Sequence, residues 1–240
     1  MSPVEEEPVP HRVQYQDEIV RLERDTLDGI ELVVGALDRA LEALAHQDLE
    51  LAERVVADDD RIDGMYLQIH QGVLSLLARQ APVAGDLRLL AALLHVIRNM
   101  ERMGDQCVNI SKLIPVSGPA PSTDPEILNM VEEMGLTVRE IVRQSMQAFK
   151  SRDAEMASDL AARDAKVNQL NRRIFRRALE VGGEVGAREW AMTMTLVARC
   201  LERVGDNAVD IGEQIAFVVT GVFREFADAS AADRDAPRFD

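Results

Sequence analysis

The sequence predicts an all-α protein, a tandem repeat of two up-and-down three-helix bundles. Three observations support this fold class. Apolar residues recur at alternating steps of three and four along most of the chain, which is typical of amphipathic helices. Aromatic residues make up 4% of the 240 residues, so Ala, Leu, Val and Met fill the apolar positions and favour helix packing over sheet. A pattern in the first half returns in the second, which indicates two similar units.

The apolar stripe predicts six helices in chain order, three in each half, between about Gln16 and Phe223. Short breaks separate them, and short loops make neighbouring helices antiparallel. The residues that define the six stripes in turn are Leu27, Ile30 and Val34; Val55, Ile62 and Ile69; Val96, Met100 and Met103; Val131, Met134 and Val138; Leu160, Val167 and Ile174; and Val197, Leu201 and Val204.

The chain ends and one linker set the predicted domain boundaries. Residues 1–14 are acidic and contain proline, and residues 224–240 contain few apolar side chains, so both segments are predicted to be disordered. Residues 115–125 are rich in Ser, Pro and Gly and form the predicted interior linker. The first bundle is therefore predicted at 15–114 and the second at 126–223.

A formal net charge of −15 disfavours several classes of partner. Binding to nucleic acid needs a basic surface that neutralises phosphates, and an anionic membrane is disfavoured for the same reason. No segment approaches the ~20 apolar residues of a membrane span, and the acidic N-terminus is unlike a signal peptide. Cys107 and Cys200 form no CxxC pair, which favours a reducing compartment. We therefore expect a soluble, cytoplasmic protein.

A repeated polar pentapeptide is the feature most informative about function. Residues 101–105, Glu-Arg-Met-Gly-Asp, return at 202–206 as Glu-Arg-Val-Gly-Asp. Carboxylates four residues apart stack on one helix face, here the face opposite the apolar stripe. The two rows therefore predict open, oxygen-rich surface sites for cations. Their candidate ligands are Glu101, Asp105 and Asn109 in the first copy and Glu202, Asp206 and Asp210 in the second.

A solvated polar face is the competing interpretation of these rows, because charged residues usually face water. Two features argue against it. Like charges four residues apart cost a helix ~0.2–0.5 kcal/mol per pair. Gly104 and Gly205 lie within the rows, where glycine costs ~1 kcal/mol relative to alanine, and they leave room for a metal, its waters or a partner backbone. Arg98 and Arg199 offer a further alternative, since each could form an ion pair with the Glu three residues later.

Two more carboxylates interrupt the apolar stripes of the middle helices. Asp59 and Asp164 occupy positions that face the bundle, where a carboxylate is costly unless it is hydrogen-bonded, paired or bound to metal. Asp63 and Asn168 follow four residues later. Either a nearby helix end leaves each carboxylate close to water, or these residues contribute to the cation sites. Asp59, Asp63 and Asp164 therefore join the candidate ligands.

Ligand types narrow the chemistry. Carboxylates and an amide, without a Cys/His cluster, suit Mg, Mn, Ca or iron, and they disfavour zinc bound by thiolates. No histidine has Glu three residues before it, so the di-iron oxidase class loses its main support. The sequence also has no Gly-rich phosphate loop and no nucleophile with an accompanying base. A carboxylate-metal hydrolase is thus the weakest hypothesis, and we expect no catalytic residues and no enzyme.

These motifs together resemble the PhoU family of bacterial phosphate-signalling regulators. The resemblance covers about Asp17 to Thr220, most of the chain. The rows at 101–110 and 202–211 look like the two E(D)xxxD metal motifs of that family. The other matching segments are 78–88, Ala-Arg-Gln-Ala-Pro-Val-Ala-Gly-Asp-Leu-Arg, which looks like the connection between the second and third helices, and the weaker signatures at 59–63 and 164–168.

The resemblance implies metal ions on the acidic rows, with iron, Mn, Mg, Ca or Zn as candidates. It implies a negative regulator of phosphate uptake and of the phosphate starvation response. Such a regulator acts between the ATPase subunit of the phosphate ABC transporter and a sensor histidine kinase, and often dimerises. Asn168 replaces a family carboxylate, and the turn at 186–188 lacks Pro and Asp, so the two sites are expected to differ. A metal-free helical adaptor that docks partners through its acidic rows is the alternative.

Overall fold

The computed structural model describes residues 10–117, 124–182 and 185–226. Within these ranges the chain forms seven α-helices and a short 3₁₀ turn, with no strand, so the all-α prediction is confirmed. No helix in this described part is long and apolar enough to cross a membrane. The elements are α1 (Pro10–His46), α2 (Leu49–Ala57), α3 (Asp59–Gln80), α4 (Ala84–Leu113), the 3₁₀ turn Pro115–Ser117, α5 (Pro125–Ser151), α6 (Ala154–Glu180) and α7 (Val185–Thr220).

The middle helix of the first repeat is divided in two, where the sequence predicted one continuous helix. Three consecutive aspartates, 58–60, mark the division, because Asp favours helix caps over helix interiors. Asp58 ends α2 with its N–H bonded to the Arg54 carbonyl, and its own carbonyl accepts the N–H of Arg61 in α3. Asp59 is consequently the first residue of α3, whereas Asp164, its counterpart in the second repeat, lies within the continuous helix α6.

The ends of the described chain differ from the predicted boundaries. Helix α1 begins at Pro10, inside the segment predicted to be disordered. At the other end, residues 222–226 fold back on α7, and the Phe226 N–H donates to Glu213 Oε1 at 2.6 Å. The predictions for residues 1–9 and 227–240, and for the part of the linker at 118–123, fall outside the described residues.

The two repeats pack side by side through equivalent helices. Helix α1 packs against α5, and α4 against α7. Both pairs are antiparallel: Leu41 contacts the α5 backbone at Gly135, while Arg152, at the C-terminal end of α5, pairs with Glu23 in the N-terminal half of α1. Arg88, near the start of α4, likewise lies beside Gly221 at the end of α7. The first helix of one repeat packs against the first helix of the other, and the last helix against the last. The repeats are therefore related by an approximate two-fold axis.

The apolar core is continuous across both repeats. Buried residues from every α-helix belong to one cluster, which includes Ile30 of α1, Leu93 of α4, Ile141 of α5 and Val204 of α7. Helices α4 and α7 pack against their own bundle and against each other, so each is buried on more than one face. The two repeats therefore share one apolar core.

Candidate metal centre

The first acidic cluster forms where α3 begins beside α4. Gly104 of the polar repeat faces the first turn of α3, and a Cβ there would lie 3.2 Å from Asp59 Oδ1 and 3.0 Å from Ile62 Cδ1. The missing side chain therefore lets α3 approach closely enough to place Asp59 beside the carboxylates of α4. The sequence suggested that the space next to this glycine would receive a metal or a partner; in the structure it receives Asp59.

Five neighbouring carboxylates interact electrostatically here. The pKa of Asp59 is raised to about 6, first by burial and then by the nearby charges of Asp63, Asp105, Asp60 and Glu101. Burial also raises the pKa of Glu101, with Asp105 and Asp63 adding to the effect and Arg98 opposing it. Like charges held together in this way disfavour ionisation, and a bound cation would reverse that preference.

The two oxygens of Glu101 have different environments. Oε1 accepts a hydrogen bond from Arg98 Nη1 at 3.3 Å. Oε2 is buried and has no hydrogen-bond partner within the described residues. The side chain is 20% exposed, so this row is less open than the sequence indicated, although Asp105 and Asn109 do lie at the surface. An unpartnered buried carboxylate oxygen is costly, which makes Glu101 the strongest candidate ligand.

The second cluster repeats the arrangement with one substitution. A Cβ on Gly205 would lie 2.6 Å from Asp164 Oδ1, so α6 approaches α7 at the glycine as α3 approaches α4. Asp164 is 7% exposed, and its Oδ2 accepts a hydrogen bond of 2.7 Å from Asn168 Nδ2. Asn168 occupies the position that Asp63 has in the first repeat. An amide donor therefore replaces a repelling carboxylate.

The remaining members of the second row have separate surroundings. Glu202 pairs with Arg199, its side chain is 12% exposed, and Asp206 lies at the surface. Asp210 has its pKa raised by burial, lowered by Arg102 of α4 and raised by Glu225. Asp206 and Asp210 are both exposed, as the predicted surface row requires, and Asp210 also interacts electrostatically with Arg102 of the other repeat.

Glu213, three residues after Asp210 in α7, is covered in the structure. It is 8% exposed, and burial raises its pKa while the Phe226 N–H lowers it. The Phe226 ring lies over Gly212, 3.1 Å from where a Cβ would be. No sequence signal marked this contact, since residue 226 lay in the segment predicted to be disordered.

The donor set fits a hard cation, but the side chains do not converge on one. In the described ranges, no group of three or more His, Cys, Asp or Glu side chains is arranged to hold a metal ion. Arg98 and Arg199 are each bonded to the Glu of their row, as the ion-pair alternative predicted. The chemistry fits because every candidate ligand offers oxygen and Glu101 Oε2 has no partner.

The pKa of Asp59 predicts a pH dependence in the metal-free protein. A carboxyl whose pKa is higher in the folded protein than in the unfolded chain stabilises the fold while it is protonated. For Asp59 this contribution is complete below the ordinary pKa of 3.8 and is lost as the pH rises through about 6. In chelator, the Tm of Asp59→Asn relative to that of the wild type should therefore rise between pH 4 and pH 7. The expected rise is about 2–4 °C after discounting for solvent screening. Asp17→Asn, at an exposed site on α1, is the control. A constant difference across that range would contradict the expected coupling.

A twin three-helix bundle with a duplicated carboxylate cluster defines the class of this protein. A family model for the PhoU domain matches residues 27–114 and 131–215, and the chain belongs to the PhoU family. The family resemblance seen in the sequence is thereby confirmed. Members are accessory and regulatory proteins of phosphate transport and not enzymes.

Similar proteins support the assignment over most of the chain. The "Phosphate-specific transport system accessory protein PhoU homolog 2" of Mycobacterium tuberculosis is 29% identical over 218 residues, covering 88% of this chain and 99% of its own. The PhoU homolog of Zymomonas mobilis is 33% identical over 187 residues, 78% of either chain.

Crystal structures show the same fold. PhoU from Pseudomonas aeruginosa superimposes with a TM-score of 0.79 and 27% identity, covering 87% of this chain and 100% of that one. The phosphate transport system regulatory protein PhoU from Streptococcus pneumoniae gives a TM-score of 0.81 at 23% identity, covering 88% of this chain and 99% of that one. The tandem three-helix architecture is therefore confirmed.

Proposed function

We propose that this protein is a metal-binding negative regulator of phosphate uptake and of the phosphate starvation response. It acts in the cytoplasm, between the ATPase subunit of a phosphate ABC transporter and a sensor histidine kinase. It works as a homodimer, meets the membrane through these partners and does not bind nucleic acid. The observation that supports metal binding is the first cluster, where mutually repelling carboxylates surround a buried Glu101 oxygen without a hydrogen-bond partner.

The carboxylates of each repeat would hold a cation at the meeting point of two helices. Asp59 and Asp63 of α3 would act with Glu101 and Asp105 of α4. In the second repeat the candidates are Asp164, Glu202 and Asp206, with Asn168 as an amide neighbour and Asp210 one turn further along α7. Asn109 stands at that position in α4. Iron, Mn, Mg, Ca and Zn remain the candidate metals, and oxygen ligands favour the harder ones.

A regulatory mechanism follows from the charge of this surface. Without a cation, the carboxylate clusters of a chain with net charge −15 repel an acidic partner. A bound cation cancels part of that charge, and the residues of both rows then present a surface that an acidic partner can approach. Binding of the purified kinase or transporter ATPase should therefore weaken in chelator. Equal affinity with and without chelator would rule out metal-dependent docking.

Metal content should fall when the Glu of either row is removed. Glu101→Ala takes away the carboxylate with the unpartnered oxygen, and Glu202→Ala takes away its counterpart. We expect each variant to lose the metal of its own repeat, measured by elemental analysis of protein purified without a metal-affinity tag. Glu31→Ala, at an exposed position on α1, is the control and should retain wild-type content. Unchanged metal in both row variants, from an occupied wild type, would show that the site assignment is wrong.

A metal-free adaptor is the second candidate function. It is favoured by the pairing of Glu101 with Arg98 and of Glu202 with Arg199, which gives both glutamates a partner from their own helix. An adaptor would contain no stoichiometric metal, would bind its partners equally in chelator, and would lose them when the rows are mutated. Loss of phosphate regulation in a deletion strain is expected for both candidates, so elemental analysis of the wild type distinguishes them.

A further inference from the structure

A groove of about 520 Å³ opens between α1 and α5, in the half of the helix pair that contains the end of α1 and the start of α5. The helices touch within this half at Leu41 and Gly135, where a Cβ would lie 2.7 Å from the leucine. The groove extends from Asp38 and Arg139 to His46 and Leu128. Its apolar lining is Leu41, Leu44, Leu128, Val131 and Leu136, and Leu136 is 46% exposed.

At the other end of the same helix pair, one side chain crosses between the helices. Arg152 follows α5 and crosses to pair with Glu23 of α1, with its guanidinium 4.9 Å from the centre of the Phe149 ring. The two-fold axis relates Arg152 to Gln47 and Glu23 to Leu128, and these two counterparts lie at the end with the groove. Gln47 has the same left-handed backbone as Arg152, with φ of 53° against 55°, which confirms the equivalence.

The counterpart residues cannot form the closing ion pair, because Gln47 is uncharged and Leu128 is apolar. Gln47 instead donates to the carbonyl of Leu44, in its own helix, and accepts from Ser117. The two ends of the helix pair therefore differ at two defined positions, and the end with the groove has no counterpart of the Arg152–Glu23 ion pair.

The rim of the open groove is acidic. Asp38, Glu42 and Glu132 line it, together with Arg139 and His46. Arg139 bonds to Asp38 at 3.4 Å, so its charge is already compensated. Among the described residues, Glu42 and Glu132 are exposed and form no ion pair. An occupant with basic flanks and apolar anchors would match both the rim and the lining.

We propose that this groove docks a basic amphipathic helix of a partner protein. Its apolar side chains enter between α1 and α5, and its lysines or arginines face Glu42 and Glu132. A helix suits the site because a groove between two antiparallel helices accepts the ridge of a third. Such a helix would cover the solvent side of α1 and α5 as α4 and α7 cover their inner side. Docking here requires no bound cation, so it is independent of the metal proposed above.

Two labelled helical peptides of about 14 residues test the chemistry of the occupant. Both place leucine at positions one, four, five and eight of a helical face, and they carry either lysine or glutamate at the flanking positions. In fluorescence anisotropy the lysine peptide should bind at least about tenfold more tightly than the glutamate peptide. Equal affinities, preference for the glutamate peptide, or no binding of either would overturn the proposal.

A closing variant tests the location. Gln47→Arg with Leu128→Glu recreates the ion pair found at the other end, and it should weaken binding of the lysine peptide at least about tenfold. Leu67→Glu with Gln71→Arg makes the same residue changes on the exposed face of α3 and should bind like the wild type. Closing and control variants that bind equally would overturn the assignment. If the closing variant fails to unfold cooperatively, Leu136→Arg at the groove edge replaces it, with the same expected loss.

Discussion

Gly205→Leu should destabilise the protein by about 3 kcal/mol, a fall of about 6–12 °C in Tm. The reason is the close approach of α6 to α7, which leaves 2.6 Å between Asp164 Oδ1 and a Cβ at this position. Asp164 is 7% exposed and held by Asn168, so its carboxylate cannot move to water without losing a hydrogen bond. Leucine is a good helix former, so a loss of stability would report packing and not helix propensity. Thermal unfolding in chelator measures the effect.

Gly64→Leu is the matched control for this substitution. Gly64 also lies within a helix, α3, but no heavy atom lies within 4 Å of where its Cβ would be. Leucine there should be neutral, or should stabilise by up to ~1 kcal/mol through helix propensity. Equal stability of the two variants would contradict the packing role assigned to Gly205.

Asn168→Asp should destabilise the metal-free protein by about 2–3 kcal/mol at neutral pH. The change removes the 2.7 Å hydrogen bond to Asp164 and places a second carboxylate beside a buried one. It also gives the second cluster the residue that the first has at Asp63. Added divalent cation should therefore stabilise this variant more than it stabilises the wild type. Chemical unfolding with and without cation measures both effects.

Asp63→Asn is the reciprocal change and should have the opposite result. It removes the largest repelling charge on Asp59, so the metal-free protein should become more stable while the first cluster binds cation less tightly. Destabilisation of both variants in chelator would show that the amide and the carboxylate have roles other than the electrostatic one described here.

The helical architecture could be predicted from the sequence because it follows from local periodicity. The stripes of α4 and α7, which include Met100 and Val204, are fully buried as predicted. The break at Asp58 does not show in the apolar stripe, which continues across it. It follows from the capping preference of three aspartates, and for Asp59 it is the nearby helix end that the sequence left open as one of two alternatives. Where a helix ends depends on a few residues whose capping preference competes with the apolar stripe. Whether a helix forms at all depends on the periodicity of the whole segment.

The site was only partly accessible from sequence because it depends on contacts between helices. Spacing placed Glu101 and Asp105 on one face, and it marked Gly104 as unusual. It could not show that Asp59, from another helix, fills the space beside that glycine. Nor could it show that Asp210 interacts electrostatically with Arg102 of the other repeat, or that Phe226 covers Glu213. These contacts join residues that are distant in the chain, and one sequence contains no record of such pairs.

The continuous core has a consequence for the history of the chain. A single repeat would expose the faces of α1 and α4 that now pack against α5 and α7. Such a half-molecule could satisfy those faces by pairing with its own copy across the approximate two-fold axis. The present chain has the form expected of a symmetric ancestral pair joined into one polypeptide. Within one polypeptide the two halves can differ at equivalent positions, as Asn168 differs from Asp63 and Arg152 from Gln47.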